Sequence, residues 1–388
     1  MNKFGVFTLT ALGTLGVVAG GTAIALSTPQ VQDKLKDRYS ETIVVEVPGQ
    51  TEPEEPTINI NLADYEFTLD EENKTATITK YNGTDANLVL PSTLSVTEEG
   101  EYIAGEDYSV TAIGERAFQN NNFIHNVVIP ESVTTINKYA FSGCICLLDI
   151  SLPDSITSLG ESCFSGCSSL KSVQYSENLT EIPYYGFRGC TSLESFIIPN
   201  NVTTIDSYAF QDCTGLKSVL IPDGVITIDN SAFNGCSSLE SIVIPNSVTT
   251  VGTSVFSNCT SLKSVQLSNS MTTISNFLFS KCTSLESITL PASMGNLYNV
   301  TSGLNCGNLK EIIIESGATY SSLTKADGAY CAMLFSNESL TTIKVLASII
   351  DEEERTNSLL DNPENYTRTL DDDGVYYTYT KVVNEETV

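Results

Sequence analysis

Apolar positions return along this chain with a long fixed period. Phenylalanine stands at Phe118, Phe141, Phe164, Phe187, Phe210, Phe233, Phe256 and Phe279, each 23 residues after the last. Cysteine keeps the same period at Cys144, Cys167, Cys190, Cys213, Cys236, Cys259 and Cys282, with Asn121 in the cysteine slot of the first unit. Three residues after each slot comes an aliphatic: Ile124, Leu147, Leu170, Leu193, Leu216, Leu239, Leu262 and Leu285. A period of this length marks a solenoid. One unit cannot bury its apolar edge alone, and stacking neighbours gives a continuous core.

The unit beginning at Leu239 shows how a coil is written. Ile242 and Ile244 alternate with polar neighbours, which puts both on one face of a strand. Pro245 has no N–H to donate and ends the ladder. Val248, Val251 and Phe256 then point inward from the return path. The pattern predicts a repeat solenoid of α/β type, mostly β with irregular or short helical returns and a parallel sheet on one face.

The ends depart from the period. Leu88 to Leu90 reads as the strand of an atypical first coil, with Val110, Ile113, Ala117 and Phe118 on its return. A 16-residue acidic insertion between Pro91 and Val110 is predicted as a loop. Upstream, Tyr65, Phe67 and Leu69 face Ala76 and Ile78 across a polar turn, a hairpin suited to covering the open edge of the stack. After Pro291 the pattern decays: Cys306 and Cys331 follow at spacings of 24 and 25. Leu309, Ile312 and Ile314, then Leu340, Ile343 and Val345, read as strands of terminal coils. Residues Tyr366–Leu370 and Val375–Tyr379 flank an acidic turn and read as a second hairpin. The chain divides into an N-terminal signal or anchor (1–32), an acidic Pro-containing linker (33–56), a β cap with the first atypical coil (57–117), the solenoid (118–345) and an acidic tail with a hairpin (346–388).

These residues resemble the BspA-type leucine-rich repeat, whose unit runs roughly L-x-x-I-x-I-P-x-x-V-x-x-I-x-x-x-A-F-x-x-C. The resemblance covers about residues 88–345. Departures are local: Tyr175-Ser176 and Leu267-Ser268 replace Ile-Pro, and Cys163, Gly186, Val255 and Leu278 take the alanine slot. The resemblance implies a right-handed leucine-rich-repeat solenoid displayed at a cell surface, binding a host or neighbouring-cell protein in adhesion.

Equivalent cysteines in stacked coils would lie about 4.8 Å apart, within reach of a disulfide by backbone distance. Their side chains point the same way, however, and a ladder never converges on a point where a metal could sit. The periodic cysteines therefore read as a buried thiol column. The off-register Cys146, Cys163, Cys306 and Cys331 are the better disulfide candidates, with no pairing assigned.

Strand alternation also names the outward face. One column is Asn126, Asp149, Ser172, Ser195, Ser218, Ser241, Ser264, Ser287 and Glu311. The next is Val128, Ser151, Gln174, Ile197, Leu220, Val243, Gln266, Thr289 and Ile313. Ser172, Gln174, Ser195, Ile197, Ser218, Leu220, Ser241, Val243, Ser264 and Gln266 form the candidate ligand face, with three apolar side chains beside a serine strip. The competing reading is plain β propensity on a flat sheet. A third column, Lys171, Glu194, Lys217, Glu240, Lys263, Glu286 and Lys310, alternates in sign, which suggests growth by two-coil duplication.

Composition narrows the function. With 19 basic and 47 acidic residues the 388-residue chain carries −28, a poor match to nucleic acid or anionic lipid. Residues 118–309 hold 13 acids and six bases (13 − 6, net −7), leaving 34 acids and 13 bases elsewhere (net −21). The acidity thus belongs to the flanks. There is one histidine, His125, and no tryptophan, and no catalytic constellation, cofactor motif or metal-ligand spacing emerges. The runs Asp351–Glu354 and Asp371–Asp373 could attract calcium but lack the alternating spacing of a calcium loop, so they read as solvated charge. Eight N-x-S/T sequons matter only in a eukaryotic secretory pathway.

Residues Phe4–Leu26 are apolar or small throughout, long enough at about 1.5 Å per residue to cross a bilayer. Length favours a retained membrane anchor; Ala23 and Ala25 fit a cleavage site. Basic residues flank both sides, Lys3 before it and Lys34, Lys36 and Arg38 after it, so charge alone leaves the orientation of an anchor open; export as the resemblance implies places the body outside the cytoplasm. Two functions follow: a non-enzymatic surface module binding a protein ligand, or a structural spacer in a surface assembly.

Overall fold

A computed structural model describes residues 60–294, 303–315, 340–346 and 366–381. The N-terminal segment 1–32, the linker 33–56, Cys331 and the run Asp351–Glu354 lie outside the described residues.

The repeat forms a β-solenoid of about eight turns. The coils carry a three- or four-residue strand on one face, such as Ser195–Ile197, Ser218–Leu220 and Ser241–Val243, and those with returns from Thr135–Ile136 to Thr250–Val251 add a two-residue strand there, such as Thr204–Ile205 and Thr227–Ile228. Neighbouring coils pair in parallel with equivalent residues opposite: Ser195 with Ser218, Ile197 with Leu220, Ile205 with Ile228. Pro245 ends its strand as expected, and its carbonyl accepts the Val248 N–H at 3.0 Å, closing the turn into the return.

A third ladder runs between the faces. The N–H groups of Arg116, Phe118 and Asn120 donate to Lys138, Ala140 and Ser142 of the next coil at 3.1, 2.8 and 2.8 Å. The intervening N–H groups of Ala117, Gln119 and Asn121 close tight turns within their own coil. Arg116 and Asn120 are left-handed, with φ of 60° and 59°. That backbone recurs in later coils, at Tyr139, Ser162, Tyr185 and Tyr208 and again at Gly143, Gly166 and Gly189. Each non-glycine residue held there costs about 1 kcal/mol, offset by the ladder bond it permits.

The core is a column of rings. Phe141 to Phe279 are fully buried and Phe118 nearly so. Successive centroids lie 4.8–5.6 Å apart with planes within 11°. Val248, Val251, Ile242 and Ile244 are buried as the alternation requires.

The N-terminal end matches its hairpin expectation: Tyr65–Asp70 pairs antiparallel with Thr75–Tyr81, which continues in parallel onto Tyr102–Ile113 and so onto the return sheet. The inserted segment is not a loop. Thr93–Val96 pairs antiparallel with the long strand Tyr102–Ile113. Its two-residue alternation (Leu94, Val96, then Tyr102, Tyr108, Val110) is a strand signal masked by Glu98, Glu99 and Glu101 at the turn. Leu94 is fully buried, and the Tyr102 ring meets Phe67 edge-on at 4.8 Å. At the other end, Tyr366–Leu370 and Tyr376–Lys381 form an antiparallel hairpin whose inner strand pairs with Thr342–Leu346.

The strand face is divided into blocks. After the ladder from Asn87–Val89 to Ser172–Gln174, Ser195–Ile197 pairs with Ser218–Leu220, Ser241–Val243 with Ser264–Gln266, and Ser287–Leu290 with Glu311–Ile314. The breaks fall every second coil. The return strands Glu181–Ile182, Thr204–Ile205, Thr227–Ile228 and Thr250–Val251 run unbroken across two of them.

Candidate functional site

The thiol column is structural. Cys144 Sγ donates to the Phe118 carbonyl at 3.1 Å, and every later periodic cysteine repeats the contact with the phenylalanine of the coil before. Burial pushes the Cys144, Cys213 and Cys259 thiols up to about 12, far from the thiolate that nucleophilic or metal chemistry needs. Of the off-register disulfide candidates, Cys331 lies outside the described residues, and the other three take different parts. Cys306 joins the same ladder, donating to Phe279 at 3.1 Å despite its longer interval. Cys163 is a buried free thiol in the alanine slot, and Cys146 is a half-buried free thiol. Asn121 plays the cysteine's part at the first level, its Nδ2 reaching the Gly83 carbonyl of the cap at 3.4 Å.

The serines that replace proline do similar work. Ser176 and Ser268 are buried, and their hydroxyls donate to Ile156 and Val248 of the preceding coil at 2.8 Å each.

The strand face holds the candidate ligand residues. Ser172, Gln174, Ser195, Ser218, Ser241, Ser264 and Gln266 are exposed. Ile197, Leu220 and Val243 are 72, 64 and 54% exposed and follow one another on adjacent coils. Val128 is also exposed but stands apart, with Ser151 and Gln174 between it and the apolar line. The Ser151 hydroxyl donates to Gln174 Oε1 at 3.1 Å, so the polar end of the column is tied coil to coil.

The charge column forms ion pairs in one direction. Lys217, Lys263 and Lys310 each reach back one coil, to Glu194 at 2.8 Å, Glu240 at 3.0 Å and Glu286 at 2.9 Å. These are the pairs that share a strand block. The Lys217 hydrogen bond holds the Glu194 carboxyl below the usual glutamate range. All six side chains are exposed, so each pair adds little stability and sets register instead.

An aromatic edge was not singled out from the sequence. Tyr185 and Tyr208 stack at 4.7 Å on the left-handed turn, Tyr184 meets both edge-on, and the Arg188 guanidinium lies 5.4 Å from the Tyr185 ring centre. The signal was present in the 23-residue spacing of Tyr185 and Tyr208. Among the described residues no group of three His, Cys, Asp or Glu could hold a metal, and no helix is long and apolar enough to cross a membrane.

Stacked parallel coils with a regular exposed strand face define a leucine-rich-repeat solenoid. A BspA type leucine rich repeat model matches residues 111–240 and 226–354 in six copies, more than half of the chain. The protein belongs to that family. No curated protein matches. Among solved structures, a leucine rich repeat protein of T. pallidum is 30% identical over 52% of this chain and 90% of that one, with a TM-score of 0.45. A leucine rich cell surface protein of Faecalibacterium prausnitzii is 23% identical, covering 76% and 96%, with a TM-score of 0.34. The pneumococcal vaccine antigen PcpA is 19% identical, covering 66% and 80%, with a TM-score of 0.38.

Proposed function

We propose that the chain is a non-enzymatic, extracytoplasmic module that binds a protein ligand through its exposed strand face. The observation that carries this reading is the apolar line Ile197, Leu220, Val243, three large side chains held in water on adjacent coils and rimmed by serine and glutamine. Family membership supports it, since repeat solenoids present extended surfaces suited to protein ligands. The Phe4–Leu26 segment, as export signal or membrane anchor, would bring the body to the cell surface. The ligand is a protein of a host or of a neighbouring cell.

The test is capture of surface proteins from host or neighbouring-cell extracts on the immobilised full chain, beside a Leu220→Asp variant. Saturable capture lost in the variant is the expected result. Capture indifferent to Leu220→Asp overturns the role of this face. A spacer, the other reading, would keep its function when two coils (46 residues, twice the 23-residue period) are deleted.

A further inference from the structure

We infer that the partner presents an amphipathic α-helix, laid along the stacking axis over the line Ile197–Leu220–Val243. The inference rests on the binding role proposed above and adds the shape and charge order of the ligand.

Spacing selects the helix. Paired strands lie about 4.8 Å apart, and the buried rings of the same three coils, Phe210, Phe233 and Phe256, step by 5.2 and 5.6 Å, so the line runs about 10 Å from Ile197 to Val243. Helix side chains at i, i+3 or i+4, and i+7 share one face and advance about 5.3 Å per step, about 10.5 Å in all. An extended strand brings a side chain to one face every ~6.7 Å and overshoots by about 3 Å across the same two steps. Three helix residues can therefore each meet one coil. Gln174 and Gln266 close the apolar line at both ends, which limits the contact to about two helical turns. The exposed serines 195, 218 and 241 beside it are short. They leave low ground between the apolar line and the charged column for the shoulder of a helix.

Charge sets the register. At the levels of the apolar line the column reads Glu194, Lys217, Glu240, all exposed. A helix flank reading base, acid, base at the same step faces opposite charges at all three levels. The reverse order, or a slip of one coil, faces like charges throughout. Such repulsion discriminates among partners more than it adds affinity.

The test uses the full chain and helix-stapled peptides of about 16 residues, with leucine at the three spaced positions. One carries Lys, Glu, Lys on both flanks; a second carries Glu, Lys, Glu; their net charges are equalised on the far face. A third is the first with one central, uncharged, non-leucine residue replaced by proline. Fluorescence anisotropy is expected to show the first binding about tenfold tighter than either other, a difference within reach of a few like-charge contacts. Leu220→Gln, which copies the residue native to the flanking coils, should remove the binding without changing the melting temperature. Equal affinity for both charge orders, equal affinity for the proline peptide, or no binding of any peptide overturns the helix assignment. Capture from extracts that depends on Leu220 would still support the binding face, so the two failures are distinguishable.

Discussion

The Sγ of Cys236 lies 3.2 Å from the carbonyl oxygen of Phe210, one coil away. The same oxygen accepts the N–H of Cys213 within its own coil at 3.1 Å. A carbonyl has two lone pairs, and here both are used among fully buried residues. Cysteine suits the slot because it fills space as a small apolar group while still offering a weak donor. The periodic thiol thus joins coils along the axis, and the repeated cysteine position of this chain is a hydrogen-bonding position.

Replacing that thiol should therefore cost more than its size suggests. Cys236→Ala leaves a void and removes one partner of the Phe210 carbonyl, at a cost of about 1–2 kcal/mol. Cys236→Ser restores a donor on a shorter bond and buries a hydroxyl that reaches poorly, at about 1–3 kcal/mol. Urea midpoints of the two variants should both fall, the serine variant at least as far. A serine variant as stable as the parent would mean the contact is incidental.

The same burial makes the column chemically silent. With Cys144, Cys213 and Cys259 pushed up to about 12 by desolvation, these thiols stay protonated and shielded at pH 8. Iodoacetamide followed by peptide mapping should label the half-buried Cys146 in the native protein and the column only after denaturation. Native labelling of Cys213 at a rate like that of Cys146 would contradict the packing.

Much of this was legible in the residues. Period and alternation placed Phe233, Ile242, Val248 and the outward Leu220 correctly, because a repeat states each local rule eight times. The insertion after Pro91 was misread because it occurs once, and its strand alternation is diluted by glutamates. Cys306 was misread because one extra residue hides a register that stacking restores. The thiol-to-carbonyl bond and the left-handed turns at Tyr185 and Tyr208 depend on backbone geometry, which side-chain patterning does not encode. The apolar line was visible as a column, and its isolation between Gln174 and Gln266 became meaningful only with the coils stacked.

The ring column concentrates the core energy. Phe233 sits between Phe210 at 5.2 Å and Phe256 at 5.6 Å, near-parallel to both. Phe233→Ala should cost about 3–5 kcal/mol by cavity formation. Phe233→Leu keeps most of the apolar area but loses ring stacking on two sides, each worth about 0.5–1.5 kcal/mol. Thermal melts should rank parent, leucine, then alanine. Leucine equal to the parent would show that the stack contributes area alone.

Acid should act on the charge column in a defined direction. The Lys217 hydrogen bond lowers the folded-state value of Glu194, so its stabilisation is complete above the unfolded glutamate value near about 4.3. It is lost as pH falls through the lowered folded value. NMR titration should place the Glu194 carboxyl below the free range, and Lys217→Met should move it up. Because the pair is exposed, the same variant should hardly change the melting temperature at neutral pH.

Three features share a two-coil period, and together they mark where the strand face should open first. Strand pairing breaks between Leu220 and Ser241 and resumes from Ser241–Val243 to Ser264–Gln266. Ion pairs join Lys217 to Glu194 and Lys263 to Glu240, within blocks. The middle strand residues alternate between half-buried Val173, Val219 and Val265 and buried Phe196, Ile242 and Ile288. Across the break the Glu240 N–H reaches Lys217 at 3.3 Å, while within blocks Lys217 and Lys263 donate at 2.8 and 2.9 Å. Local opening follows the weaker bonds, whatever the global stability. Native-state hydrogen exchange should therefore find Glu240 faster than Lys217 and Lys263. The return strands, paired without a break from Glu181–Ile182 to Thr250–Val251, should exchange at similar rates on both sides of the same level. Uniform protection along the strand face would mean that the smaller valines repack without loosening their block. A fast return strand at this level would turn the break into a joint through the whole coil, which the unbroken phenylalanine ladder from Phe210 to Ala232 and from Phe233 to Val255 opposes.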